Sequence, residues 1–569
     1  MQNRRAATIL LLCLPAATAA ADPLWLARGR QGMVASDAPE ASQIGAAILS
    51  SGGNAFDAAI ATSLALGVAR PQSTGLGGGG FMLAYRAEQK ALVALDFRET
   101  APACATPEYF AQAQPAEAGP SPSVYGGKAV AVPGLLAGLH EIHRRYGSKS
   151  WSELVAPAVE LAERGFTVDQ AYRDACADAL RDFQKWPQLA TRFAAVHSTL
   201  LNGGEPPELG RRIPRPDLAE ALRLIARDGP AALYDGPIGA AIVKAIRSAD
   251  GSLSREDLRA YRVRERRPLR ATFGPYAIVS MPPPSSGGAC VIESLNVLDC
   301  LASGRGGIRQ VWQAGELPPL LARSFQHAFA DRSRWFGDPD CVEVPVAQLI
   351  DREYACRLAA RPVSGLDDFG STTLPDDGGT SHFCVADRLG NVVAITETIN
   401  GTFGSLVVAD PYGIVLNNEM DDFSIYPDRP NIYGLVQGRA NAVAPGKRPL
   451  SSMSPTIVLK DDRPVLTVGA SGGPRIITAV AQVLLAVLAL DQPVEQAVSA
   501  VRMHQQWRPE EVYFDQAPPE DLAETLRRAG LKVSEERKTA VVNAIQLLPD
   551  GTMIGVSDPR RGGRPVALP

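Results

Sequence analysis

The chain has no excess of basic residues. Its 57 lysines and arginines stand against 61 aspartates and glutamates, giving a formal net charge of -4 and a pI near 6.0, which argues against a nucleic-acid partner. Beyond the N-terminal segment no stretch has the ~18 uninterrupted apolar residues of a membrane span. The run "IITAVAQVLLAVLAL" (Ile476 to Leu490) is too short and is Ala-rich, as a buried core helix would be. There is no C-x-x-C pair. Cys104, Cys176, Cys290, Cys300, Cys341, Cys356 and Cys384 are odd in number and widely spaced. That excludes a disulfide framework or a zinc site and predicts scattered core thiols. His140 and His143, in "LHEIHRR", lack the H-E-x-x-H spacing and a third ligand, so a solvated helix face is expected there and no metal. Internal repeats and low-complexity tails are absent too.

What is present is ordinary globular composition, 46% hydrophobic and 21% charged over 569 residues, a length above that of a typical single domain. The N-terminus, "MQNRRAATILLLCLPAATAAADPLW", carries Arg4 and Arg5, an apolar run from Ala6 to Leu14 and small residues up to Ala21. This is the layout of a secretory signal over residues 1–21, so a periplasmic or secreted protein is expected. Cys13 is preceded by Leu12, where a lipoprotein signal needs a small residue. From Ala41 to Arg70 two Ala-rich helices are predicted, broken at residues 51–54, and "FMLAYRAEQKALVALDF" reads as a hairpin. The middle, residues 151–361, is expected to be mostly helical. After Thr380 the texture turns to strands, with a hairpin at Asp461 and Asp462, and the C-terminal part closes with helices and the strand pair in "AIQLLPDGTMIGVS". Strands in sets with helices before and after them imply layered α+β architecture.

Two motifs imitate other chemistries. "GLGGGG" (Gly75 to Gly80) fits G-x-G-x-x-G, but a helix precedes it and a hairpin follows, the reverse of a dinucleotide site. These glycines are expected to let backbone approach other backbone or a ligand. "GASGG" (Gly469 to Gly473) fits G-x-S-x-G with a strand before and a helix after. The only downstream histidine, His504, leaves too little chain for the rest of an α/β-hydrolase sheet. Adjacent glycine N–H groups at a helix start can still stabilise an oxyanion.

The third stretch is "DDGGTSHFCVADRLGNVVAITETIN", residues 376–400. An exposed loop rich in Pro, Gly and acid runs straight into Thr380 and a strand. A threonine hydroxyl needs an adjacent base to act as a nucleophile. If the Gly379–Thr380 bond were cut, the new α-amine of Thr380 could serve.

The chain resembles the γ-glutamyltranspeptidase (glutathione hydrolase) family of N-terminal nucleophile hydrolases. The blocks "PQSTGLGGGGFM", "DFRETAP", "VAVPG", "MPPPSSGG", "ADRSRWFGDP", "TSHFCVAD", "LNNEMDDFS", "KRPLSSMSPT" and "GASGGPRII" occur in family order. The resemblance implies a four-layer αββα fold made of two chains after self-cleavage at Gly379–Thr380: a large subunit, residues 22–379, and a small one, residues 380–569. It implies cleavage of the γ-glutamyl amide of glutathione and related compounds through an ester on Thr380. The group would pass to water or to amino acid and dipeptide acceptors, with no cofactor. Thr398 would orient the nucleophile, sharing a sheet face with Asn400, and Gly472 and Gly473 would form the oxyanion hole. Arg98, Ser451 and Ser452 would take the donor's α-carboxylate. Asn400, Glu419 and Asp422 would take its α-ammonium, with Glu419 standing where some relatives have Gln. The segment from Phe423 to Pro449 resembles a lid, with Tyr433 as its gate. The rival expectations are an acylase or poly-γ-glutamate depolymerase on the same scaffold, or an uncut periplasmic binding protein.

Overall fold

The computed structural model describes residues 22–110, 119–363, 379–426, 429–537 and 540–569. The expected signal segment and residues 369–378 of the expected cut loop lie outside the described residues.

Two seven-stranded sheets lie face to face. The first runs, in spatial order, Val566–Leu568, Gly32–Ser36, Gly379–Asp387, Val392–Asn400, Gly79–Arg86, Ala91–Phe97 and Arg264–Arg266. The second runs Leu26–Gly29, Met553–Ser557, Val541–Leu547, Arg463–Ser471, Thr456–Lys460, Tyr276–Ser280 and Leu269–Phe273. Every pairing within them is antiparallel. The two central strands of the first sheet are buried over all nine residues each, because a helix layer covers one face and the second sheet the other. Their sequences accordingly lack a polar solvent face, and the large polar residues they carry, His382, Asp387, Glu397 and Asn400, are buried as well.

Helices close both outer faces. Ala55–Ala69 packs on the first sheet, opened by a capping box in which the Asn54 side chain accepts from the Phe56 and Asp57 N–H groups. Its small side chains let all of it but Gly67 be buried. Gly287–Ser303 and Arg475–Leu488 pack on the second sheet, the latter buried along its whole length. The result is four layers, αββα.

Local signals explain the register of the strands. The hairpin joining Thr456–Lys460 to Arg463–Ser471 turns at Asp461 and Asp462, with φ of 51° and 56°, as a two-residue turn of this hand requires. In the glycine run, a Cβ on Gly77, Gly78 or Gly80 would strike the carbonyl oxygens of Val415, Thr398 or Thr396. The run is there for close backbone packing beside the strand Val392–Asn400.

The middle of the chain is mostly helical, as expected, and it also supplies Leu269–Phe273 and Tyr276–Ser280 to one end of the second sheet. Leu269–Phe273 is the edge strand and Tyr276–Ser280 lies beside it, and both are short and partly exposed, so they lack a strong apolar pattern. One expectation fails: the cysteines are not all free thiols. Cys300 and Cys356 form a disulfide between the helices Gly287–Ser303 and Arg352–Ala359, with Cα atoms 5.2 Å apart. Their separation of 56 residues hid a pairing that only helix packing brings about. Cys104, Cys176, Cys290, Cys341 and Cys384 are free.

Candidate active site

Thr380 is the second residue of a central strand, 4% exposed, and the chain is continuous through Gly379–Thr380. Its Oγ1 lies 3.1 Å from Oγ1 of Thr398, directly across on the neighbouring strand. Thr398 donates its hydroxyl to the Gly379 carbonyl oxygen at 2.5 Å, so a single side chain touches both the hydroxyl and the carbonyl of the bond before Thr380. The pairing shifts register between Gly379 and Thr380, which turns that carbonyl out of the regular ladder. Asn400 ends the facing strand in a left-handed conformation, φ 71°, and strand alternation stops there. Its N–H donates to Thr398 Oγ1 (2.8 Å) and its side-chain amide to the Asn418 carbonyl (3.0 Å).

Arg98 leaves the strand Ala91–Phe97 and is 1% exposed. Nη1 pairs with Glu419, Nη2 with Asp422 at 2.5 Å, and Nε donates to the Pro449 carbonyl at 3.1 Å. A third acid, Glu99, lies 3.7 Å from Nη1. Three carboxyls surround one guanidinium, and both Glu99 oxygens and Glu419 Oε2 are buried without a hydrogen-bond partner. Burial drives the Glu99 carboxyl up to about 7 and Glu419 well above the ordinary range, against the pull of Arg98. Burial also raises Asp422, with Arg98 opposing. The cluster is therefore short of cationic donors.

Gly472 and Gly473 follow the strand Arg463–Ser471, with φ of 124° and 59°, in the sheet that packs on the Thr380 strand. The Tyr433 ring lies where a Cβ on Gly473 would be, 2.8 Å away, and its hydroxyl donates to the Asn400 carbonyl at 2.5 Å. Tyr433 is 4% exposed and held from behind, its N–H by Asn431 Oδ1 and its carbonyl by the Gln506 amide. Residues 427 and 428 of the expected lid lie outside the described residues. Ser451 Oγ accepts from the Met453 N–H. Ser452 Oγ accepts from Arg332.

The motifs set aside from sequence are occupied elsewhere. His504 bonds Thr478 and Gln506 at 2.9 and 2.8 Å, leaving Ser471 without a base. His140 and His143 pack their rings against Trp151, so this helix face is only partly solvated. Among the described residues no group of His, Cys, Asp or Glu could hold a metal ion.

The sequence-predicted residues thus fall into two touching groups: Thr380, Thr398, Asn400, Tyr433 and Gly473 in one, and Arg98, Glu419 and Asp422 in the other, joined through the chain from Asn418 to Glu419. Glu99 and Arg332 were not singled out. Each lies inside a quoted block, "DFRETAP" and "ADRSRWFGDP", and an acid beside Arg98 was the available signal for the first.

Layers, strand order and a threonine beside a candidate cut bond define the N-terminal nucleophile hydrolase class. A cephalosporin acylase from Bacillus halodurans has the same fold, with a TM-score of 0.82 and 26% identity, covering 98% of this chain and 100% of that one. The profile of the γ-glutamyltranspeptidase family matches residues 41–568, and the chain belongs to that family. A glutathione hydrolase proenzyme of Escherichia coli is 39% identical over 540 residues, 94% of this chain and 91% of the relative. An acylase ACY 1 proenzyme of a Pseudomonas strain is 37% identical over 554 residues, 95% and 94% of the two chains.

Proposed function

We propose that the protein is an exported, self-processing glutathione hydrolase and γ-glutamyltransferase with Thr380 as its nucleophile. The observation that carries this reading is the contact of Thr398 with both Thr380 Oγ1 and the Gly379 carbonyl oxygen. Thr380 Oγ attacks the Gly379 carbonyl carbon while Thr398 supports the developing oxyanion. The C–N bond breaks, the Thr380 nitrogen takes the hydroxyl proton and becomes an α-amine, and water hydrolyses the resulting ester. The products are residues 22–379 and 380–569, which stay together as one composite domain.

The freed hydroxyl, with its own amine as base, then attacks the γ-amide of glutathione or a related donor. Gly472 and Gly473 present their N–H groups to the oxyanion. The γ-glutamyl ester is released to water or to an amino acid or dipeptide. The donor's α-end is a zwitterion, and the cluster suits it by exchange. An ammonium satisfies the orphaned oxygens of Glu99 and Glu419 together with Asp422 and Asn400, and Arg98, relieved of its acids, binds the carboxylate with Ser451 and Ser452. Tyr433 covers Gly473 and must swing aside to admit the donor.

Acylase activity is the second reading, favoured by the acylase relatives, and the buried charge cluster opposes it because an acyl group without an α-zwitterion brings no ammonium to the unpartnered oxygens of Glu99 and Glu419 Oε2. The mass of the purified wild type should show two chains, the smaller beginning Thr-Ser-His-Phe. Thr380→Ala should give one uncut chain inactive on a γ-glutamyl anilide. Cleavage of that variant at the same bond, or a preference of the wild type for glutaryl over γ-glutamyl anilide, would overturn the reading.

A further inference from the structure

The charges around the candidate donor site are unevenly shared. Arg98 has three carboxyls near it. A second guanidinium, Arg332, has none within ion-pair distance among the described residues. It sits near the end of the helix Leu317–Trp335 and is 2% exposed. Its described partners are all neutral: Nε donates to Ser286 Oγ at 2.9 Å, Nη1 to Gln437 Oε1 at 3.2 Å and Nη2 to Ser452 Oγ at 3.3 Å. Burial works against this charge, as does the neighbouring Arg98, and Asp422, beyond ion-pair distance, favours it. A buried guanidinium without a counter-ion is expensive unless an anion completes it.

The three partners belong to three separate segments of the site. Ser286 donates to the Ser451 carbonyl at 2.7 Å, fixing the loop that carries Ser451 and Ser452. Gln437 donates to the Asp422 carbonyl at 2.9 Å and comes from the segment that carries Tyr433. Ser452 receives a donor on its oxygen, and no described group accepts its own proton. A hydroxyl fed in this way presents its O–H outward, polarised by the charge behind it.

We infer that Arg332 is a positioning residue for donor carboxylate recognition, aiming the Ser452 hydroxyl at the α-carboxylate and supplying the positive charge that offsets it. This rests on the γ-glutamyl reading above and deepens it. Arg98 is committed to the acids until the ammonium arrives, so Arg332 is the cation that an incoming carboxylate meets uncompensated.

The test compares Arg332→Gln with wild type on two anilides, one γ-glutamyl and one 4-aminobutanoyl, which keeps the amine and lacks the α-carboxylate. The γ-glutamyl KM should rise at least tenfold with a smaller change in kcat, while the 4-aminobutanoyl KM and the extent of self-cleavage stay within about twofold of wild type. Equal losses on both donors, or none on either, overturn the inference. If Arg332→Gln does not fold, Ser452→Ala must show the same discrimination, and a variant that treats both donors alike overturns it too. A wild type inactive on γ-glutamyl anilide instead removes the underlying reading, a separate outcome.

Discussion

At the scale of single residues, the proposed cleavage before Thr380 assigns Thr398 the controlling part. Both hydroxyls are buried, and the Thr398 proton is given to the Gly379 carbonyl oxygen, where negative charge would grow in the proposed cleavage. Thr398→Ala removes one donor from a preorganised, water-poor site, and such losses run to about a hundredfold in rate. The expected outcome is slow appearance of the small chain, followed on a denaturing gel over hours, with Thr398→Ser close to wild type. Equal processing rates in the alanine variant would refute this role. The residue types of this site were legible because their chemistry is local: a Thr after two glycines, and a guanidinium beside an acid. Their mutual arrangement was not. Glu99 escaped because strand alternation assigns neighbours to opposite faces, whereas the chain has left its strand by Arg98 and both side chains gather around Glu419.

At the scale of elements, the segment bearing Tyr433 is a short irregular stretch tied down by side chains. Asp421 accepts from the Ile432 N–H at 2.8 Å, Asn431 from the N–H groups of Tyr433 and Leu435, and the Tyr433 hydroxyl bonds Asn400. It is a latch of a few hydrogen bonds, each worth ~1 kcal/mol net. Tyr433→Ala should therefore lower kcat/KM for γ-glutamyl anilide by roughly tenfold and raise hydrolysis of bulky acyl anilides, a loss of selectivity read from paired assays. If both substrates respond alike, Tyr433 is not a gate. Long elements with strong periodicity were readable in the sequence: the two Ala-rich helices, the hairpins around residues 87–90 and 461–462, and the helix Arg475–Leu488 all stand where expected. The hairpin of Leu269–Phe273 and Tyr276–Ser280 was not, because it joins the sheet only through a partner distant in sequence. Tyr276–Ser280 finds its second partner in Thr456–Lys460. The Cys300–Cys356 bond was hidden for the same reason.

At the scale of the whole molecule, the layer between the first sheet and its helices holds a buried acid, Glu397, which accepts from Ser63 at 2.5 Å. Burial lifts its carboxyl from 4.5 to about 8, with the Ser63 bond opposing. The folded chain thus holds a proton that the unfolded chain releases between those values. The stability it gives is complete below about pH 4.5 and is lost as pH rises toward 8. In the uncut Thr380→Ala background, where unfolding involves one chain, Glu397→Gln should flatten the fall in stability between pH 5.5 and 8.5. The difference in slope amounts to at most about 1.4 kcal/mol per pH unit, measured by denaturant titration at both pH values. Parallel curves would show that Glu397 does not carry the proton. The position of the bond before Thr380 has a further consequence. It lies within the strand order of the first sheet, where the two strands following the proposed cut are clasped between Gly32–Ser36 and Gly79–Arg86, while Val566–Leu568 pairs with the far side of Gly32–Ser36. In the second sheet, Leu26–Gly29 and Tyr276–Ser280 bracket four strands from beyond residue 379. Both cysteines of the disulfide precede residue 379. Scission would therefore leave two polypeptides woven through one another like dovetailed joinery, with no covalent link between them, and neither could depart without dismantling both sheets.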